Sequence, residues 1–237
     1  MKKILLPVLF IACTCAARSQ VLIAILFGDK LNTDKLEFGL IVSPGLVNIT
    51  DIQSKSRAGL NLGLYFNIKI NDRLFLHPEL IPKAAFGARS IMPYSTGNDS
   101  LDNLFTGGSI QRNIKAMSLP LLVHYRIKKL LFAEAGIQVD WLLRSKDVFK
   151  NEVDGNDLTY TTKINDKVTM FDVGVVGGLL YKFKKDKGMG LGIRYFYGLT
   201  DIHKDLSGNQ RNTAWLLNVT IPIGTGKQQA APPPQSP

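Results

Sequence analysis

The fold class this sequence predicts is all-β, an eight-stranded antiparallel up-and-down transmembrane β-barrel, and three observations predict it. Apolar and polar residues alternate with period 2 in eight separate stretches. The connections between those stretches are alternately long and short. Finally, 45% hydrophobic residues at a mean hydropathy of +0.05 include, beyond the first segment, no run near the ~20 apolar residues a helical span requires. Apolar content this high excludes disorder as the dominant state. It leaves a soluble core or a barrel whose apolar residues are dispersed through strands.

The N-terminus reads as a secretory signal peptide over residues 1–20. Lys2 and Lys3 form a basic start, residues 4–12 an apolar stretch, and Cys15-Ala16-Ala17 through Gln20 a small-to-polar exit. Cleavage is expected near Gln20, with Ala17 as the second candidate. Phe10-Ile11-Ala12-Cys13 distantly matches a lipoprotein processing site that would lipidate Cys13. Both cysteines, Cys13 and Cys15, fall in this segment, so the mature chain has no disulfide framework or thiolate metal site. Removing Lys2, Lys3 and Arg18 with it takes the formal charge from +10 to +7. An N-terminal periplasmic segment (21–35), the barrel (36–223) and a Pro/Gln-rich periplasmic tail (224–237) are expected to follow.

A bilayer-spanning strand needs about 9–11 residues with one apolar face and one polar or small face. Over 58–71 the even positions carry Leu60, Leu62, Leu64, Phe66, Ile68 and Ile70, while the odd positions include Gly59, Asn61, Gly63, Tyr65, Asn67 and Lys69. A helix would spread these sets around its circumference; a strand separates them. Residues 131–144 set Ile137, Val139 and Trp141 against Glu134, Gln138, Asp140 and Arg144, and 188–200 set Leu191, Ile193 and Tyr195 against Gly192 and Arg194. Weaker alternation over 36–47, 74–89, 116–126, 169–183 and 213–223 completes eight strands. Tight turns are expected at Asn71-Asp72, Lys128-Lys129 and Lys185-Asp186-Lys187-Gly188, and long connections at 48–57, 90–112, 145–167 and 201–211. That alternation is what short periplasmic turns and long external loops produce.

An eight-stranded barrel is just wide enough for side chains to fill. The inward set, including Glu79, Glu134, Asp172, Arg194, Lys83, Asp140, Arg144 and His77, is therefore expected to form a closed polar network. Unpaired buried charges would cost several kcal/mol each, and Glu79, Glu134 and Asp172 are the acids expected around Arg194. Trp141, Trp215 and Tyr197 near the long-connection ends, and Tyr125, Tyr181 and Phe183 near the short turns, are expected as two aromatic girdles. Cations such as Arg126, Lys128, Lys129 and Lys184 cluster at the short turns, where they suit anionic headgroups of the inner leaflet, and a signal peptide upstream argues against nucleic acid.

Several stretches, in order along the mature chain, resemble the porin-like outer-membrane β-barrel family, the PorT-type and OmpA/OmpX-like small barrels of Gram-negative bacteria. They are Phe27-Gly28-Asp29-Lys30-Leu31 with Leu36-Glu37-Phe38-Gly39; Leu76-His77-Pro78-Glu79-Leu80; Leu119-Pro120-Leu121-Leu122; Ala133-Glu134-Ala135-Gly136; Phe171-Asp172-Val173-Gly174; and Gly192-Ile193-Arg194-Tyr195 running into Tyr197-Gly198-Leu199-Thr200. The chain departs from the family at Ser118, where Glu often stands, and at its end, where Pro222 and a tail replace a terminal aromatic. The resemblance implies residence in the cell outer membrane and permits an accessory role in a protein-secretion machine.

No GxSxG, HExxH, Walker or dinucleotide motif is present. His203, beside Asp201 and Ser207, is the site of the catalytic alternative, an outer-membrane lipid-modifying enzyme. Acidic and amide residues of the long connections, among them Asn98, Asp99, Asp102, Asp154 and Asp157, match no standard calcium spacing. The expectation is an integral outer-membrane barrel without catalytic activity, cofactor or metal, with a plugged polar lumen, serving in envelope structure, surface interaction or assembly. The alternatives are the PorT-like secretion role, and a soluble lipocalin-like barrel, which would need an apolar interior. Expected partners are the lipid bilayer and lipopolysaccharide, the barrel-assembly machinery during insertion, and an envelope or secretion protein; no nucleic acid is expected, and the barrel is expected to be monomeric.

Overall fold

A computed structural model describes residues 33, 35–184, 188–204 and 208–223. The expected signal peptide, the tail over 224–237 and the turn residues 185–187 lie outside the described residues. The strands are β1 (Leu36–Ile49), β2 (Arg57–Lys69), β3 (Leu74–Ile91), β4 (Ser109–Arg126), β5 (Leu131–Val153), β6 (Asn156–Lys163), β7 (Phe171–Lys182), β8 (Gly190–Gly198) and β9 (Asn212–Pro222), with one short helix, α1 (Asp99–Phe105), between β3 and β4.

Eight of these strands close a ring. β1 pairs with β2 on one side and β9 on the other, and β5 pairs with β4 and β7, all antiparallel. Closure removes the free edges that an open sheet of this size would expose. β6 pairs with β5 alone, so the two form a hairpin standing above the ring on the long-connection side. The even positions of β2 that read as apolar lie outward or at the wall, while Asn61, Tyr65 and Asn67 are buried inside.

Four irregularities shift the register by one residue, one of them near the end of β3, where Ala88 faces Arg112 and Ile91 faces Ile110. Between β3 and β4, Ile81 faces Ser118 and Ala84 faces Ala116, so three steps on β3 match two on β4. Between β4 and β5, Ala116 faces Leu142 while the adjacent Lys115 faces Arg144. Between β2 and β3 the register slips at Leu62/Leu64. A bulge of this kind inserts one residue and swaps inner for outer face beyond it. Pro82, which has no N–H to lose, sits at the β3 bulge.

The bulges explain where the structure departs from simple alternation. β3 turns Ala84, Phe86 and Ala88 inward in place of Lys83 and Arg89, and β5 turns Ser145, Asp147 and Phe149 inward in place of Arg144. The connections expected over 90–112 and 145–167 are partly ordered strand. β4 starts at Ser109, and β5 and β6 fill most of the second segment. Ile41, Ile81, Phe86, Ile114, Phe196 and Leu216, all buried, belong to one apolar cluster in the half of the lumen toward the long connections. A smaller cluster of Phe75, Phe132 and Leu180 closes the short-turn end.

Candidate functional site in the barrel lumen

Arg194 is the centre of the polar half. β8 alternates so that Gly192, Arg194 and Phe196 face inward, and Arg194 is 2% exposed. Its Nε donates to Glu134 Oε1 at 2.7 Å and its Nη2 to Glu134 Oε2 at 3.2 Å; toward Glu79, Nη1 donates at 2.9 Å and Nη2 at 2.8 Å. One planar guanidinium thus bridges two carboxylates, one from β3 and one from β5, the geometry for which arginine is suited. Gly178 pairs with Arg194 on β7, and a Cβ there would stand 2.6 Å from Glu134 Oε1. A side chain at that position would displace the acid.

Two histidines flank this bridge. His77 Nε2 stands 3.1 Å from Glu79 Oε1 and His124 Nε2 stands 3.2 Å from Glu134 Oε2, and the two rings stack at 3.9 Å between centroids. Tyr65 stacks on His77 at 5.0 Å and donates its hydroxyl to Glu37 at 3.0 Å. Lys182 Nζ completes the column with bonds of 2.8 and 2.9 Å to the same carboxylate. The Tyr65 ring lies over its register partner Gly39 on the adjacent β1 to reach Glu37; a Cβ at Gly39 would lie 2.6 Å from the ring. With the bridge, the column joins seven of the eight ring strands, so its charges are held from most of the circumference.

Asp140 and Asp172 are cross-strand partners in a separate group. Gln138 Nε2 donates to both oxygens of Asp140, and Asn212 Nδ2 donates to Asp172 at 2.8 Å. Asp172 is therefore not one of the acids around Arg194. Arg194 pairs with Gly178, and six residues along a strand place Asp172 roughly 20 Å away. Lys83 and Arg144, expected inside, are both exposed on the outer wall, because the bulges reverse the phase of β3 and β5. Lys69 too stays outside, paired with Asp72 at 2.6 Å.

A rim cluster lies in the segments expected as long connections. Arg112 of β4 makes two bonds to Asp147 of β5, at 2.9 and 2.8 Å, and a third to Gln210 at 3.3 Å. Tyr94 donates to Asp147 at 3.0 Å, and burial together with that carboxylate pushes its hydroxyl above the ordinary tyrosine range. The signal for Arg112 was present in the alternation of Ile110, Arg112, Ile114 and Ala116, which continues β4 backward into the expected connection. Asp147 was hidden because the β5 bulge reverses the phase just before it.

On the outer wall, Trp141 stacks with Phe171, Trp215 lies tilted against Tyr195, and Tyr181 meets Phe183 edge-on. Tyr125 is exposed, and Arg211 lies over the half-buried Tyr197 ring and donates to its hydroxyl at 3.2 Å. His203 is buried rather than solvated, and the Asp201 carboxylate accepts from its backbone N–H. Ser207 lies outside the described residues. Of the acidic loop residues, Asp102 accepts from Ser95 and Thr96, and Asn98 caps α1, so both are engaged in local structure. Among the described residues no group of three metal-ligating side chains is found.

The chain is similar in structure to Ail, the attachment invasion locus protein of Yersinia pestis, at 12% identity and a TM-score of 0.41, covering 78% of this chain and 96% of that one. Neisserial surface protein A matches at 12% identity and a TM-score of 0.40 with the same coverage. OprG from Pseudomonas aeruginosa matches at 10% identity and a TM-score of 0.30, covering 81% and 97%. A comparison with curated protein sequences gives no match. The family model described as "Outer membrane protein beta-barrel domain" matches residues 30–204 of the 237, and with the closed eight-strand ring this identifies the chain as a member of that outer-membrane β-barrel family.

Proposed function

We propose that this outer-membrane barrel neither conducts solutes nor catalyses a reaction, and that it acts in envelope structure or surface interaction through the rim carrying its long connections. The observation that carries this reading is the Arg194 bridge, whose guanidinium and both carboxylates are nearly sealed from solvent in the middle of the lumen. A water-filled path needs wall charges in contact with water, whereas these are satisfied by one another. The same packing argues against catalysis, since His77, His124, Glu79 and Glu134 are each no more than 4% exposed and are held by neighbours. The apolar cluster above them adds a second barrier. The β5–β6 hairpin and α1, projecting beyond the ring, supply the surface on which the rim would act.

The test is conductance of the purified, heat-modifiable barrel in planar bilayers. Silence over prolonged recording at moderate voltage is the expected outcome. Discrete, ion-selective steps in the native protein would overturn the reading.

A further inference from the structure

The bulges that exclude Lys83 and Arg144 from the lumen place them on the outer wall beside other cations. A groove of about 690 Å³ there is lined by Lys83, Lys115, Arg144 and Lys146 together with Leu60, Pro82 and Leu143. An adjoining groove of about 490 Å³ shares Lys115, Arg144 and Lys146 and adds Lys163. No carboxylate lines either groove, and among the described residues none of these five cations has an ion-pair partner.

Their register makes the concentration of charge costly. Lys115 lies directly opposite Arg144, and Lys146 directly opposite Lys163. Like charges facing each other across strands destabilise a sheet, and two such pairs here adjoin. An anion seated between them would relieve both repulsions.

The position says where such an anion comes from. Below Lys115 on β4 stand Leu119, Leu121 and Val123, and below Arg144 on β5 stand Leu143, Trp141 and Ile137, all exposed and apolar. The cations therefore begin where the apolar band ends, on the side of the long connections, which in outer-membrane barrels faces outward. Phosphates at that height belong to lipid headgroups of the outer leaflet, and Leu60, Pro82 and Leu143 in the same groove offer an apolar wall to an acyl chain.

The geometry points to a binding site for a phosphorylated lipid of the outer leaflet, with its phosphates on Lys115, Arg144, Lys146 and Lys163 and an acyl chain along the apolar wall. This site does not depend on whether the lumen conducts. The test measures the unfolding temperature of the full barrel in detergent with three probes: bisphosphorylated lipid A, the same lipid with both phosphates removed, and inorganic phosphate. The bisphosphorylated lipid is expected to raise the unfolding temperature, and the other two to leave it nearly unchanged. A Lys115→Gln/Arg144→Gln/Lys146→Gln variant loses most of the shift, while Lys128→Gln/Lys129→Gln, at a short turn, keeps it. Equal shifts from the dephosphorylated lipid or from inorganic phosphate would overturn the proposal, as would an undiminished shift in the triple variant. Because the probe comparison uses the native chain, the test stands even if that variant does not fold.

Discussion

The lumen is packed in two different ways along its length. Toward the short turns it is filled by Lys182, Glu37, Tyr65, His77, His124, Glu79, Glu134 and Arg194, joined by directional bonds. Toward the long connections most of the space is filled by Ile41, Phe86, Ile114, Phe196 and Leu216, which satisfy only volume, while the Asp172–Asn212 and Arg112–Asp147 contacts add directional bonds on the same side. The first kind of packing specifies which strands must meet, because a displaced carboxylate or guanidinium is left without a partner in a dry interior. The second tolerates substitution of similar volume and stabilises through burial and contact. The bulges in β3 and β5 mark the boundary, since on the inner face they replace Lys83 with Ala84 and Phe86, and Arg144 with Ser145, Asp147 and Phe149.

That contrast predicts unequal responses to substitution. Arg194→Met strips two buried carboxylates of their shared partner, so the loss should be at or above the roughly 3–5 kcal/mol of breaking one buried pair. Denaturant unfolding from micelles, read by heat-modifiable gel mobility, measures it. The triple variant Arg194→Met/Glu79→Gln/Glu134→Gln should recover a large part of that loss; failure to recover would mean that the bridge is not what holds this half.

Phe86→Ala in the apolar half should cost about 3 kcal/mol by the same assay, and Phe86→Leu clearly less. The neighbouring Phe196 ring, 5.4 Å away, can close over part of the space left behind. If Phe86→Leu proved as damaging as Phe86→Ala, the view of this half as volume-filling would be wrong.

The smallest effect lies outside both halves. Asp102 accepts from the Ser95 hydroxyl, the Thr96 backbone and the Thr96 hydroxyl, which hold its carboxyl below the usual range. A depressed folded value means that support for the loop is fully present above the ordinary carboxyl range near 4 and is lost as pH falls through the lower folded value. Limited proteolysis of the 92–108 segment should therefore accelerate on acidification in the native chain. In Asp102→Asn the same segment should be cut faster at neutral pH, with little further dependence on acid.

The sequence made much of this legible, and its failures have two causes, unmarked bulges and unread strand height. Before the bulges, period 2 and the observed inward positions coincide at His77, Glu79, Glu134, Asp140, Asp172 and Arg194. After them the phase reverses, so Lys83 and Arg144 turn out while Phe86 and Asp147 turn in. Alternation carries no mark of an inserted residue except Pro82, which flags one bulge and not the other. It also gives a strand's face without its height, which is why Asp172 was placed beside Arg194 though it lies at the other end of β7. In the apolar half, Ala84, Phe86 and Ala88 lie beyond the β3 bulge, whereas Ile41, Phe196 and Leu216 stand on strands without a register shift.

The central claim is that the lumen is sealed to water and solute, and it can be tested with one thiol. Both cysteines of the chain lie within residues 1–20, so a barrel over 21–237 carrying Ser118→Cys has a single reactive group, at a position that is fully buried in the lumen wall. Its rate of modification by a small water-soluble thiol reagent should be negligible in the folded barrel and should rise to that of a free thiol on unfolding, while Thr161→Cys on the exposed hairpin reacts at once. Rapid labelling of Ser118→Cys in the folded state would show that water and solute reach the interior and would contradict the account.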